Sequence, residues 1–221
     1  MERYKQKTAL QKAVLASDVA RCAELCDAGI NIDASDYRGD TALMLATILN
    51  QIAIVKLLVQ RGADVNRSNH IGSTPLFYAT SEGHLEILKF LVDQGANINK
   101  PNQFGWVPLF YAIFLKKMAI VQYLVEHGAN VNIRDKNQCT PLIYATRAGN
   151  STLVSFLIKK GASLNQKDSL EQTALVYATQ EQHIEIVALL LAQGAQPDIP
   201  THNPPLFWAT LHNYPALLKQ L

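Results

Sequence analysis

Residues 69–101 read NHIGSTPLFYATSEGHLEILKFLVDQGANINKP, and the same pattern returns along most of the chain at a step of 33 residues. The pattern begins with the tripeptides Thr41-Ala42-Leu43, Thr74-Pro75-Leu76, Val107-Pro108-Leu109, Thr140-Pro141-Leu142 and Thr173-Ala174-Leu175. A fixed period of this size is typical of stacked units that bury their apolar faces against one another. A residue that recurs at one position therefore belongs to the scaffold, and an unusual residue is a candidate for function.

The quoted unit predicts a tight turn followed by two helices. Gly72 suits the turn because glycine accepts a positive φ at low cost. Thr74 is placed to cap a helix, and Pro75 takes the first helical position, where its missing N–H does no harm. Gly83 breaks this helix, and a second helix with an apolar side runs until Gly95 ends it. Neither helix can bury its apolar side without a neighbour.

The unit resembles the ankyrin repeat, in which a turn with Gly precedes Thr-Pro-Leu-x-x-Ala, then Gly-His-x-x-Ile, then Leu-x-x-Gly-Ala-x-x-Asn. The resemblance implies an all-α ankyrin-repeat solenoid of stacked antiparallel helix pairs with hairpin-like loops, and a concave surface that binds partner proteins. We assign residues 1–221 to a single domain. Its repeats are expected at 1–35 (partial), 36–68, 69–101, 102–134, 135–167, 168–200 and 201–221 (partial).

The composition favours a folded chain and weakens other classes. Apolar residues make up 48% and charged residues 17%, which argues against disorder. A net charge of +2 argues against nucleic-acid binding. No apolar stretch approaches the roughly 20 residues that span a bilayer, and residues 1–7 do not resemble a signal peptide. Three scattered cysteines favour reduced thiols and a reducing compartment. We expect a cytoplasmic monomer without membrane insertion.

Some positions depart from the family pattern. Val107 replaces the capping Thr of repeat 4, which should cost about 1 kcal/mol and suggests that another role is served there. Lys116-Lys117 replaces the Gly-His of the same repeat. Gln138 and Glu171 replace the turn glycine of repeats 5 and 6, so these turns are expected to be different, strained or slightly shifted.

An aromatic row recurs two positions after the motif leucine, at Tyr78, Tyr111, Tyr144, Tyr177 and Trp208. With 3.6 residues per turn, these side chains lie about 200° from that leucine, away from the buried side. The resemblance implies that this side of the first helix lines the concave surface. Two interpretations stay open, a half-buried ladder between repeats and a row of binding residues.

The hairpin tips give a second set of candidates, because their residues vary between repeats. Phe104 and Trp106 stand out, with Phe114 nearby, since exposed large aromatic residues commonly indicate an interface. Local packing between neighbouring hairpins is the alternative. The predicted partner-binding residues are Tyr37, Arg38, His70, Ile71, Tyr78, Phe104, Trp106, Tyr111, Phe114, Tyr144, Arg147 and Tyr177.

The sequence therefore predicts a non-enzymatic protein–protein interaction module that acts through the concave surface and the hairpin tips. No catalytic motif, cofactor-binding loop or metal-ligand spacing is found. The shortened last repeat motivates an alternative, in which the chain is a targeting segment of a larger enzyme or of a secreted bacterial effector delivered into a host cytosol. The resemblance also implies a third class, hydroxylation of the recurring Asn66, Asn99, Asn132 or Asn165, although a turn role explains these residues.

Overall fold

The computed structural model describes residues 7–212 and Pro215, and within them it contains thirteen helices and no strand. The helices are α1 (Ala9–Leu15), α2 (Val19–Asp27), α3 (Ala42–Ile48), α4 (Ile52–Gln60), α5 (Pro75–Glu82), α6 (Leu85–Asp93), α7 (Pro108–Phe114), α8 (Met118–Glu126), α9 (Pro141–Arg147), α10 (Ser151–Lys159), α11 (Ala174–Gln180), α12 (Ile184–Ala192) and α13 (Pro205–Leu211). The predicted order of turn, helix, loop and helix is confirmed.

The chain divides into two compact units. The first contains the residues up to 112 together with 122–127, and the second contains 113–121 and the residues from 128 onward. In the first unit α1, α3 and α5 pack side by side, and each packs on its own second helix. In the second unit α9 packs on α10 and α11, and α11 packs on α12 and α13. The assignment of the whole chain to one domain stays a prediction.

Five first helices, α1, α3, α5, α9 and α11, begin at a threonine that caps them. The hydroxyl of Thr74 accepts the backbone N–H of Phe77 at 3.3 Å, with Pro75 as the first helical residue. The same cap is made by Thr8, Thr41, Thr140 and Thr173. Helix α7 starts after Val107, which has no side-chain acceptor, and the N–H of Phe110 lies 3.1 Å from the Val107 carbonyl oxygen.

The interior is apolar at the position that directly follows the motif leucine. The residue after the motif leucine is buried in five successive repeats, as Met44, Phe77, Phe110, Ile143 and Val176. In the same five repeats the leucine itself and the recurring small Ala are also buried, and Leu76 and Ala79 are 0% exposed. Burial of each large aliphatic side chain stabilises the fold by roughly 1.5–3 kcal/mol.

Each hairpin is built on one buried Asp or Asn. The Oδ1 of Asn69 accepts the backbone N–H of Ile71 at 3.1 Å and of Ser73 at 2.9 Å. The same pair of bonds is made by Asp36, Asn102, Asp135 and Asp168. The expectation of a different or shifted turn in repeats 5 and 6 is wrong, because Gln138 and Glu171 adopt the same left-handed conformation at φ 60°. The strain of a non-glycine residue at positive φ remains.

The recurring asparagines brace adjacent repeats within each unit. The Oδ1 of Asn66 accepts the backbone N–H of Asn97 at 2.7 Å, and its Nδ2 donates to the Gly95 carbonyl oxygen at 3.0 Å. Asn132 repeats this arrangement with Ser163 and Gly161. These bonds explain why the residue recurs. No helix within residues 7–212 has both the length and the hydrophobicity to cross a bilayer.

Candidate functional site

Three members of the aromatic row, Tyr78, Tyr144 and Tyr177, each form a hydrogen bond from the first helix of a repeat to the carboxylate of a hairpin residue. The Tyr144 hydroxyl donates to Asp135 Oδ2 at 2.7 Å, and the Tyr177 hydroxyl donates to Asp168 Oδ2 at 2.6 Å. Tyr78 donates to Asp40 at 3.0 Å. Burial, followed by the neighbouring carboxylate, raises the pKa of all three phenols above the ordinary value. The three hydroxyls therefore stay protonated at neutral pH and serve the scaffold.

The rings of these tyrosines differ in exposure. Tyr78 and Tyr144 are half-buried, so part of each ring still faces outward. Tyr177 is only 7% exposed, contrary to the expectation of an outward-facing residue. Its ring is covered by Arg147, whose guanidinium carbon lies 5.1 Å from the ring centroid. The Tyr177 ring therefore packs under the Arg147 guanidinium and does not form part of the exposed surface.

Within the described part of the chain, the tyrosine of repeat 4, Tyr111, contacts aromatic rings and not a carboxylate. The Tyr111 ring meets Phe77 edge-on at 4.4 Å between centroids and Trp106 at 5.0 Å. Trp106 also lies 6.2 Å from Phe110. Trp106 and Tyr111 are half-buried in this cluster, whereas Phe104 at the hairpin tip is 55% exposed. The structure thus brings Trp106 and Tyr111 together by local packing.

A row of apolar side chains follows the hairpin tips of the first unit. Tyr37, Ile71 and Phe104, which we call the tip row, are 50%, 40% and 55% exposed. Neighbouring hairpins are joined by backbone bonds from His70 N–H to the Arg38 carbonyl oxygen at 3.1 Å and from Gln103 N–H to the Ile71 carbonyl oxygen at 3.0 Å. The predicted residues Arg38 and His70 are exposed beside this row.

A cleft with a cavity volume of about 360 Å³ opens in the second unit. Three predicted residues, Phe114, Tyr144 and Arg147, line it together with Ile113, Lys116, Ala148 and Glu181. Phe114 is 62% exposed, and Arg147, Lys116 and Glu181 are also exposed. The Tyr144 ring forms part of the wall, while its hydroxyl is held by Asp135.

Sequence reasoning missed Ala148, Glu181 and the role of Lys116 in this cleft. Ala148 and Glu181 occupy the same position of the period, directly after the first helix of repeats 5 and 6. Lys116 has φ 56° and so keeps the left-handed backbone that Gly83 and Gly149 adopt at the equivalent position. A search of the residues just beyond each first helix for changes in charge would have found Lys116 and Glu181.

The chemistry of the side chains does not suggest catalysis. Cys22, Cys26 and Cys139 are buried and unpaired, and burial raises the pKa of Cys22 to about 11 and of Cys139 to about 12. The thiols are therefore not ionised at neutral pH, although the thiolate is the reactive form. The described part of the chain contains no group of three or more His, Cys, Asp or Glu side chains that could hold a metal ion.

Comparison with known proteins agrees with this architecture. The chain matches the family described as ankyrin repeats (3 copies) over residues 2–69, 35–102, 62–135 and 134–201. A solved structure titled as the ankyrin repeat domain of Bcl-3, a unique member of the IkappaB protein family, is 25% identical with a TM-score of 0.88, covering 97% of each chain. No curated protein sequence matches the chain. The chain belongs to the ankyrin-repeat family, whose fold is a non-enzymatic scaffold for protein–protein interaction.

Proposed function

We propose that this protein is a monomeric interaction module that binds a partner protein through the cleft in its second unit. The observation that carries the proposal is the cleft itself, because it gathers Phe114, Tyr144 and Arg147 around one cavity. Its volume of about 360 Å³ falls in the range of ligand-binding pockets. Aromatic residues and arginine are the types most enriched at binding hot spots.

The exposure of Phe114 supports this placement. A phenylalanine that is 62% exposed contributes little to the interior, and an exposed aromatic side chain beside a cavity is a typical interface feature. The ring of Tyr144 adds an apolar wall, since its hydroxyl is held by Asp135. Arg147 adds a charged group that lies over Tyr177 and is exposed at the cleft. These residues provide an apolar contact and a cationic contact side by side.

The tip row is a second candidate surface, supported by a separate observation. The hairpin backbone is fixed by the buried Asp or Asn and its two N–H bonds, so the turns do not need an apolar side chain at Tyr37, Ile71 or Phe104. These three side chains are nevertheless all at least 40% exposed. We propose that the tip row contacts the same partner or a second one.

The proposed location is the cytoplasm. Cys22 and Cys26 are one helical turn apart in α2, and both are buried and unpaired, as is Cys139. Unpaired buried thiols are typical of proteins from reducing compartments.

The test is partner capture with the full chain immobilised. We expect the double variant Phe114→Ala/Arg147→Ala to recover at least ten-fold less of the native partner, measured by quantitative mass spectrometry, because two hot-spot losses exceed 1.4 kcal/mol. Val19→Ala is the control, since Val19 is 44% exposed and lies neither in the cleft nor in the tip row. Circular dichroism checks that all variants are folded. Equal recovery by the folded double variant and the control would refute the placement at the cleft.

A further inference from the structure

The cleft carries an ordered pattern of chemistry across three successive repeats. The end of α7 supplies an exposed aromatic ring, Phe114, and the end of α9 supplies an exposed cation, Arg147. The loop after α11 supplies an exposed carboxylate, Glu181. Along this line the cleft is therefore apolar, then positive, then negative.

The Arg147 guanidinium is oriented so that it can bind an anion. Arg147 and Glu181 form no ion pair within 4.0 Å in the described structure, although both line the cleft. The guanidinium instead lies over the Tyr177 ring, which restricts it without using its N–H donors. A planar guanidinium held in this way still presents those donors at its edge, where they match a carboxylate.

The buried carboxylates behind the tyrosines do not supply that anion. Asp135 and Asp168 each accept two backbone N–H bonds and one phenolic hydroxyl, so their hydrogen-bonding capacity is used within the scaffold. Lys116, two residues after Phe114 and also exposed, lines the cleft as a second positive charge. Glu181 is the one carboxylate among the described residues that line the cleft.

Resting on the proposed function, we infer that the cleft recognises an extended peptide segment of the partner that carries an apolar side chain, then an acidic one, then a basic one. The apolar side chain lies against Phe114 and Tyr144, the acidic one pairs with Arg147, and the basic one pairs with Glu181. Packed helices lie about 8–10 Å apart and an extended chain rises about 3.3 Å per residue, so these side chains are about three residues apart.

The test is selection from a random peptide library displayed on phage, with the full chain as the target. We expect the wild type to enrich peptides with a large apolar residue, then Asp or Glu about three residues later, then Lys or Arg. A consensus peptide should bind Arg147→Glu at least ten-fold more weakly, measured by fluorescence anisotropy, and exchange of its acidic residue for Lys should restore binding to that variant. Lys159→Glu is the control, because it makes the same kind of charge reversal on an exposed residue outside the cleft.

The outcomes separate this inference from the proposed function. Peptides that bind the cleft and are lost on Phe114→Ala, but show no acidic preference and bind Arg147→Glu equally well, would overturn the inference and leave the proposed function intact. Peptides that bind wild type, Phe114→Ala and Arg147→Glu alike would overturn both the inference and the cleft as the binding site. Failure to enrich any peptide counts against both. A charge preference that reverses in Arg147→Glu supports both.

Discussion

The hairpin of repeat 4 and the hairpins of repeats 5 and 6 share one backbone but are held by different side chains. All three turns use a buried Asp or Asn that accepts two backbone N–H bonds, and all have a left-handed residue three positions later. Repeat 4 then has Gly105, Trp106 and Val107, whereas repeat 5 has Gln138, Cys139 and Thr140. The buried Asp or Asn is thus the common determinant of the turn, and the other residues can change around it.

Repeat 4 differs from repeats 5 and 6 in its helix cap and in the contacts of its tyrosine. Repeats 5 and 6 have a capping threonine and a phenol–carboxylate bond between the first helix and the turn. Repeat 4 has Val107 instead of the cap, and Tyr111 packs against Trp106 where Tyr144 and Tyr177 bond to an aspartate. Beyond the bonds to the buried Asp or Asn, the hairpin of repeat 4 is therefore held to its first helix by aromatic packing, and those of repeats 5 and 6 by a hydrogen bond from the tyrosine.

The largest expected change in the free energy of unfolding comes from removing the hydrogen bond between a phenol and a carboxylate. Tyr177→Phe removes the donor to Asp168, which is 5% exposed, and leaves a buried carboxylate with one fewer hydrogen bond. Hydrogen bonds to charged groups contribute about 1.5–3 kcal/mol, so we expect the free energy of unfolding to fall by about 2 kcal/mol. Urea denaturation followed by circular dichroism measures this change.

Tyr111→Phe is the matched control in repeat 4. Within the described residues, the Tyr111 side chain makes ring contacts with Phe77 and Trp106 and no hydrogen bond through its hydroxyl. Removal of that hydroxyl should change the free energy of unfolding by less than about 0.5 kcal/mol. Equal costs for the two substitutions would show that the comparison between the hairpins is mistaken.

The second prediction concerns alkaline pH. Burial and Asp168 raise the pKa of Tyr177 above the value of about 10 that it has in the unfolded chain, so the folded state holds this proton more tightly. The stability from Tyr177 is therefore complete below pH ~10 and is lost as the pH rises above it. We expect the free energy of unfolding to fall more steeply above pH ~10 in the wild type than in Tyr177→Phe, by up to about 1 kcal/mol per pH unit. Urea titrations between pH ~8 and ~11 test this, and parallel curves would contradict it.

The fold could be predicted because its determinants are local and periodic. Thr74 caps its helix and Pro75 begins it, as the spacing indicated, and both act on backbone groups a few residues away. Leu76 recurs with the period, which assigned it to the scaffold, and it is buried. Such contacts repeat in every unit, so the period alone identifies them.

The details of the site depend on contacts that the period does not reveal. The bond from Tyr144 to Asp135 spans nine residues and requires the turn to fold back on its helix. Tyr177 is buried because Arg147 from the preceding repeat covers it, which helical angle alone does not predict. The cleft includes Glu181, a loop residue whose neighbours come from other repeats. The sequence identified Tyr144 as a member of the recurring aromatic row, and Phe114 as an aromatic residue near Phe104 and Trp106.

The third prediction restores to repeat 4 the threonine cap that repeats 1, 2, 3, 5 and 6 have. Val107→Thr places a hydroxyl where Thr140 accepts the N–H of Ile143 at 3.2 Å, with a side chain of nearly the same shape. The capping residues Thr41, Thr74, Thr140 and Thr173 are 1–3% exposed, nearly as buried as Val107, so the site tolerates this hydroxyl. We expect Val107→Thr to raise the free energy of unfolding by about 1 kcal/mol.

The reverse substitution, Thr140→Val, should lower the free energy of unfolding by a similar amount. Thermal unfolding of both variants, followed by circular dichroism, gives the two changes. A destabilised Val107→Thr variant would mean that the N–H of Phe110 cannot reach the new hydroxyl, and that α7 begins differently from the other first helices.

The smallest expected effect comes from the left-handed residue of the turn. Gln138 adopts φ 60°, where a residue with a side chain costs about 1–2 kcal/mol more than glycine, and the greater freedom of glycine in the unfolded chain offsets about half of this gain. Gln138→Gly should therefore raise the free energy of unfolding by about 0.5 kcal/mol, measured by urea denaturation. Glu171→Gly relieves the same φ 60° but also loses the ion pair with Lys167 at 2.8 Å, so its gain should be smaller. A loss of stability in Gln138→Gly would show that the Gln138 side chain stabilises the hairpin of repeat 5 by more than its backbone strain costs. Repeat 4, with Gly105, would then lack this contact in addition to the threonine cap and the hydrogen bond from the tyrosine to an aspartate.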